Sequence, residues 1–289
     1  MTQTRPVVLV TGANSGMGKA TALAFAKQNA QVVMLCRNEP KGLEAQQEII
    51  DESGNENIDL ILCDFADLSD VRRFAADFTA KYDQLNVLVN NAAIITTKRQ
   101  ETVDGYELQF GVNHLAPFLL TNLLLDKLKA SAPSRIINVS SGAYKFGNIS
   151  FEDLHSRHKY RTFKVYGQSK LANILFTYEL SRRLEASQVT TNCLHPGAVS
   201  TNLGIDRKTG FGKTIVKMLR PFFQTPAEGS RTAIYLATSK ELEGVTGKFF
   251  VHQKEVETTK KTHDRGLAAQ LWKVSEELVG ISEGSNPFK

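Results

Sequence analysis

Val7-Val8-Leu9-Val10-Thr11-Gly12-Ala13-Asn14-Ser15-Gly16-Met17-Gly18-Lys19 is the stretch on which the fold turns. Its unbroken apolar run predicts a strand buried on both faces, and the glycines after it lead straight into the helical pattern Ala20–Gln28. Gly12 permits a tight turn, Gly16 lets backbone amides approach a pyrophosphate, and Gly18 lets the helix sit close to the strand. Asn14, Ser15 and Met17 complete the loop that would carry the phosphates at the helix N-terminus. Alone, such a turn is also compatible with an ordinary strand-to-helix connection, so its surroundings have to decide.

Those surroundings repeat the pattern. Val32–Leu35, Ile58–Leu62, Val87–Val89, Ile136–Val139 and Val189–Leu194 are short apolar runs, each followed by turn residues and a helix-length segment, with a further strand at 247–251. Helices are expected at 16–29, 40–52, 69–82, 101–128, 164–187, 212–220, 226–238 and 263–280. Strand–helix alternation requires parallel strands joined by right-handed crossovers. The expected fold is an α/β, single-domain Rossmann-type doubly wound parallel sheet of about seven strands with helices on both faces. No linker divides residues 1–289; 198–225 reads as a candidate substrate lid and 281–289 as a loose tail.

Composition narrows the function. The 289 residues are 42% hydrophobic and 22% charged, with 20 Gly and 8 Pro, as in an ordinary folded protein. A net charge of +5 favours phosphate-bearing ligands, but no recognised nucleic-acid module accompanies it, so nucleic acid is not an expected partner. Cys36, Cys63 and Cys193 are odd in number and show no CxxC spacing, which predicts neither a disulfide framework nor a zinc site and fits a reducing, cytoplasmic setting. No run reaches the ~18 apolar residues of a membrane span, and Val7–Val10 comes too early and ends too soon for a signal peptide. No transmembrane segment is therefore expected.

The second strand ends Leu35-Cys36-Arg37-Asn38, where this fold places an acidic residue when the adenine ribose of NAD is bound. Cys36 cannot grip a diol, whereas Arg37 offers a planar cation to a 2′-phosphate, which favours NADP(H) over NAD(H). The alternative leaves Arg37 solvated and puts Glu39 on the ribose. Asp64-Phe65, ending the third strand, can offer a carboxylate and a backbone amide to adenine, or can simply begin the next helix.

Tyr166 and Lys170 lie four positions apart on a helical pattern and so stack on one face. A cation ~4 Å from a phenol in an effective dielectric of ~20 contributes ~4 kcal/mol, or ~3 pK units, part of which burial cancels. Even half of that makes Tyr166 a competent acid/base for an alcohol or carbonyl. Alone, the pair is also what a surface lysine packed on a tyrosine looks like. Arg135–Ser141 ends a buried strand in two hydroxyls, Ser140 and Ser141, at the edge where ligands of open α/β sheets bind. Asn90-Asn91-Ala92-Ala93 ends the preceding strand; there Asn90 can tie neighbouring backbones together, while Ala92 and Ala93 leave room for a flat ring.

Thr11–Gly18, Asn90–Ala93, Ser140-Ser141, Tyr166-x-x-x-Lys170 and Pro196-Gly197, in this order, resemble the short-chain dehydrogenase/reductase family over residues 6 to about 252. The resemblance implies Tyr166 as catalytic acid/base, Lys170 as the cation that lowers its pKa and holds the nicotinamide ribose, and Ser141 as the hydrogen-bond partner of the substrate oxygen. It implies that Asn113 holds a water linking Lys170 to solvent; a plain helix-backbone hydrogen bond is the other reading. It also implies that the segment Pro196-Gly197-x-Val199-x-Thr201 receives the nicotinamide carboxamide on the Val199 backbone and a phosphate or the carboxamide on Thr201. No metal is needed. His114, His155, His158 and His195 lack companions at ligand spacing and read as packing or surface residues.

Ser141 and Tyr166 stand 25 positions apart, a longer gap than in simpler family members, and Tyr144–Phe163 between them is rich in aromatic and basic residues. With Cys36-Arg37-Asn38, Asn113-His114-Leu115 and His195-Pro196-Gly197, this resembles the retinol dehydrogenase-like branch, which includes the WW-domain oxidoreductase and protochlorophyllide reductase relatives. That branch implies an NADP(H)-linked oxidoreductase for lipophilic alcohols, aldehydes or ketones; the missing hydrophobic N-terminal anchor sets the chain apart from membrane-anchored retinol enzymes. Phe211, Ile215, Met218 and Leu219 oppose Lys213, Lys217 and Arg220, so this amphipathic segment is open to three readings: lid, peripheral membrane contact or plain surface helix. A homo-oligomer is compatible with the resemblance. The reading from another class is a catalytically idle NADP-binding regulator or scaffold, against which an intact Ser141, Tyr166 and Lys170 argue.

Overall fold

The computed structural model describes residues 5–197 and 225–281. Val199, Thr201, the helix expected at 212–220, the amphipathic face at 211–223 and the tail from 282 onward lie outside the described residues. Strand β1 (Val7–Thr11) leads into helix α1 (Gly16–Ala26), β2 (Gln31–Cys36) into α2 (Glu39–Ser53), β3 (Ile58–Leu62) into α3 (Leu68–Lys81), and β4 (Val87–Asn90) closes the first half. Short helices α4 (Leu108–Phe110), α5 (Ala116–Leu123) and α6 (Leu125–Ala130) precede β5 (Ser134–Val139). The long α7 (Thr162–Arg183), β6 (Val189–His195), α8 (Pro226–Thr238), β7 (Phe249–Val251), β8 (Lys254–Glu255) and α9 (Arg265–Val279) follow.

Among the described residues, eight strands are ordered β3-β2-β1-β4-β5-β6-β7-β8, parallel throughout except for the β7–β8 edge. Alternate residues of each strand point to opposite faces, so one sheet fills two cores. Leu9, Leu35, Leu88 and Ile136 pack with Phe74 and Phe78 of α3, Phe118 of α5, Leu175 of α7 and Trp272 of α9. Their neighbours Val8, Met34, Val89 and Ile137 pack with Phe25 of α1, Ile49 of α2 and Leu236 of α8. Order reverses between β1 and β4, and the crevice at that switch point, at the carboxyl ends of the strands, is where the loops named above converge. No helix among the described residues is long and apolar enough to cross a membrane.

Two expectations need correction. The helix predicted over 101–128 is broken: buried Glu107 accepts the amides of Gln109 and Phe110 and so begins α4 late, Gly111–Leu115 winds as a π-turn, and Leu124 separates α5 from α6. The eighth strand was not foreseen because its hairpin turns on His252-Gln253, at φ 50° and 62°, with none of the Asn or Gly that signals such a turn.

Beneath the crevice, a buried polar ladder links the central strands. Asn90 on β4 pairs in register with Asn138 on β5, and its amide donates to Asn138 Oδ1 at 2.8 Å and Thr121 Oγ1 at 3.0 Å. The Asn138 amide donates in turn to Thr177 of α7 at 3.0 Å. Asn90 thus ties neighbouring side chains, where the sequence suggested backbones. Asn138→Ala strips partners from both Asn90 and Thr177 and is expected to lower unfolding free energy by about 2–3 kcal/mol in urea titrations, with an unchanged m value.

Candidate active site

Thr11 organises the phosphate loop. Its hydroxyl accepts the backbone amides of Asn91 and Ala92, each at 2.9 Å, and the Asn91 side chain donates to the Thr11 carbonyl at 2.7 Å. The two motifs at the ends of β1 and β4 are therefore clamped together, and the Asn91 amide serves that clamp. Gly12 sits at φ +67°, where a Cβ would come within 3.0 Å of Ala92 Cα, and a Cβ on Gly18 would strike the Gly12 carbonyl. Gly16, at φ +55°, opens α1; Ser15 before it makes no side-chain cap and the first turn holds no acid. Amides left without a side-chain cap, beside glycines with no room for a Cβ, fit a pyrophosphate.

At the end of β2, burial pushes the Cys36 thiol up to about 12, while the Ala13 and Asn14 amides draw it part of the way back. It lies neutral under the loop and presents no charge to a phosphate. Arg37 is exposed, its guanidinium 3.9 Å from Asp64 at the end of neighbouring β3. Asp64 also accepts the Ala66 amide at 2.9 Å, and Phe65 is buried beside it. The Asn38 side chain is spent on capping α2, accepting the Lys41 amide at 3.0 Å.

The catalytic candidates meet where α7 crosses the end of β5. Ser140 turns inward and donates to the Lys170 carbonyl at 2.8 Å, anchoring the helix. Ser141 turns the other way; it accepts the Ala143 amide at 3.3 Å, and its hydroxyl lies beside Tyr166, whose phenol pKa it draws down. Lys170 is buried, its ammonium donating to the Val139 carbonyl at 3.0 Å and lying 5.6 Å from the centre of the Tyr166 ring. Burial pushes Tyr166 up to about 12 despite the Ser141 hydroxyl beside it, and pushes Lys170 down to about 8. A lowered phenol pKa was expected from the ammonium alone. Here desolvation of the phenolate wins, because Lys170 lies over the ring and is tied to a strand carbonyl. Tyr166 consequently holds its proton at neutral pH.

Asn113 sits within the π-turn. Its side chain accepts the Ile94 amide at 2.8 Å and donates to the Ile94 carbonyl at 3.0 Å and to Ser169 at 3.1 Å. It thereby joins the loop after β4 to the residue beside Lys170. The Val139 carbonyl that receives Lys170 is a partner of the site that the sequence did not single out, since a carbonyl at a strand end carries no pattern of its own. His195 ends β6 with its ring against Gly142, and burial pushes its imidazole down to about 4. Pro196 and Gly197 follow, with Gly197 at φ +84°.

A glycine-rich loop opening a helix at the switch point of a doubly wound sheet is the arrangement of a dinucleotide-binding protein. Residues 6–212 match the family described as short chain dehydrogenase, and the chain belongs to that family. It is an oxidoreductase acting on CH–OH groups or the corresponding carbonyls. It is 46% identical to human retinol dehydrogenase 14, over 95% of this chain and 86% of the relative, and 46% identical to mouse retinol dehydrogenase 13, over 95% and 84%. A solved structure of an uncharacterised protein from Mycobacterium paratuberculosis superposes with a TM-score of 0.77 at 36% identity, covering 95% of this chain and 93% of that one.

The buried ammonium carries a cost that can be measured. In the unfolded chain Lys170 keeps its proton to pH 10.5, whereas in the fold it does so only to about 8. Folding expels that proton between those values, so this group's penalty is full below pH 8 and fades as pH rises toward 10.5. Lys170→Met, which leaves Asn173 donating to the Val139 carbonyl at 3.3 Å, is expected to stabilise the protein. A gain of about 2 kcal/mol at pH 7 that shrinks toward pH 10 in denaturation series is the expected result.

Proposed function

We propose that the protein is an NADP(H)-dependent oxidoreductase interconverting lipophilic alcohols with aldehydes or ketones, with a specificity like that of the retinol dehydrogenases it resembles. The observation that carries this reading is the buried Tyr166 phenol with the Lys170 ammonium 5.6 Å from the centre of its ring, beside Ser141 at the switch-point crevice. When bound, the nicotinamide cofactor supplies the hydride acceptor or donor. Gly12, Gly16 and Gly18, with Asn14, Ser15 and Met17, would hold its pyrophosphate; Ala92 and Ala93 would border the ring; Lys170 would meet the ribose. Tyr166 Oη, protonated at neutral pH, delivers a proton to a carbonyl oxygen and recovers it from an alcohol, while Ser141 Oγ fixes that oxygen in place. Asn113 keeps Ser169, beside Lys170, in register with the loop after β4.

Preference for NADP(H) is supported by Arg37, an exposed guanidinium beside a neutral Cys36, with Asp64 near enough to orient it and too far to bind it tightly. A purified sample given NADPH or NADH with a panel of aldehydes, ketones and retinoids tests the whole reading through cofactor absorbance. Tyr166→Phe is expected to cut kcat/KM by about 10²–10⁴ while leaving NADPH binding intact. Intact NADPH binding with no turnover on any of the panel would favour a regulatory binding role instead. Arg37→Glu is expected to weaken NADPH at least about 10-fold by fluorescence titration and to leave NADH nearly unchanged; equal weakening of both would remove Arg37 from the cofactor site.

A further inference from the structure

The long connection between Ser141 and Tyr166 is more than a spacer. It forms two 3-10 turns, Gly142–Phe146 and Phe151–Asp153, and then enters α7 at Thr162. The first turn is locked onto α7: a Cβ on Gly147 would strike the Gly167 carbonyl, and one on Gly167 would lie 2.7 Å from the Ala143 carbonyl. Lys261 reinforces this crossing by donating to the Gly147 carbonyl at 2.7 Å. Phe146 precedes Gly147, and Phe163 lies one helical turn before Gly167 on the same face, so both rings flank a single rigid crossing beside Tyr166.

Both rings point into solvent, at 77% and 75% exposed, and they are the exposed aromatics among the large hydrophobic side chains of the described residues. The same connection carries Lys145, Arg157, Lys159, Arg161 and Lys164, all exposed. Among the described residues, none of the five stands within ion-pair distance of a carboxylate. The only acids between Gly142 and Lys164 are Glu152 and Asp153, and Asp153 accepts the amides of Arg157 and His158. Exposed aromatics among unpaired cations are the chemistry of a bilayer interface: rings enter the acyl boundary while cations meet anionic headgroups.

We propose that the Gly142–Lys164 connection is a docking surface for an anionic phospholipid bilayer, which would bring the active-site crevice to the membrane. The anionic surface is chosen on charge complementarity; a single-stranded nucleic acid would need a positively charged groove to track its backbone, whereas these rings project from the surface at 77% and 75% exposure. The proposal builds on the lipophilic-substrate reading by naming where such a substrate is collected. Docking also needs no catalysis, so the two can fail separately.

The test is co-sedimentation of the full chain with vesicles of phosphatidylcholine alone, or of phosphatidylcholine with phosphatidylserine, alongside NADPH oxidation with a water-soluble aldehyde. Wild-type protein is expected to partition onto the anionic vesicles and to be released by salt. Lys145→Glu with Arg161→Glu, and separately Phe146→Ser with Phe163→Ser, are each expected to reduce that partition at least about 10-fold while leaving soluble-aldehyde turnover and thermal stability unchanged. Absence of vesicle binding, equal binding to neutral vesicles, or undiminished binding by both double variants would overturn the proposal. So would a salt-sensitive retention on single-stranded oligonucleotide that exceeds retention on anionic vesicles and is lost in the same variants. Loss of turnover with vesicle binding intact would instead strike at the oxidoreductase reading alone.

Discussion

The site depends on one ammonium kept out of water. Lys170 is only 2% exposed and its charge is met by the carbonyl of Val139, the last residue of β5. That carbonyl can receive it because the strand ends there, and Asn173, almost one turn further along α7, donates to the same oxygen. Burying a cation against a neutral acceptor costs stability, and the fold must hold it in place by other means. Ser140 pins the helix carbonyl of Lys170 itself, and the Asn90–Asn138–Thr177 ladder pins the same helix to the central strands below. The polar groups buried under the crevice are thus bonded largely to one another, which fixes where α7 crosses the sheet.

The same geometry explains why the phenol is a strong proton holder in this protein. Tyr166 shares the buried face with Lys170, so the burial that depresses one group raises the other. Desolvation therefore sets the proton affinity of both groups first, and for Tyr166 the Ser141 hydroxyl offsets only part of it. A site of this kind is sensitive to whatever excludes water from the crevice, and less so to charges on the distant surface.

Much of this was legible in short segments. Gly12, Gly16 and Gly18 announce themselves because positive φ and close backbone approach leave few alternatives, and Tyr166 with Lys170 is visible because a helix fixes neighbours at four positions. That Ser140 and Ser141 face opposite ways was readable too, since successive residues leaving a strand alternate, while the preference for Ser141 came from the family resemblance. Other features were hidden for definable reasons. Glu107 starts α4 late through its own buried side chain, the π-turn around Asn113 follows from packing at that point, and His252-Gln253 turns a hairpin without the residues that usually do so.

Local pattern determined the alternation of strand and helix, the phosphate loop and the pairing of a phenol with an amine, because each depends on backbone periods a few residues long. Tertiary structure alone decided the direction in which Tyr166 titrates, the carbonyl that receives Lys170, and the clamp of Thr11 on Asn91 and Ala92. Those depend on which groups from distant segments share one dry volume, and desolvation is a property of that volume rather than of any stretch of chain.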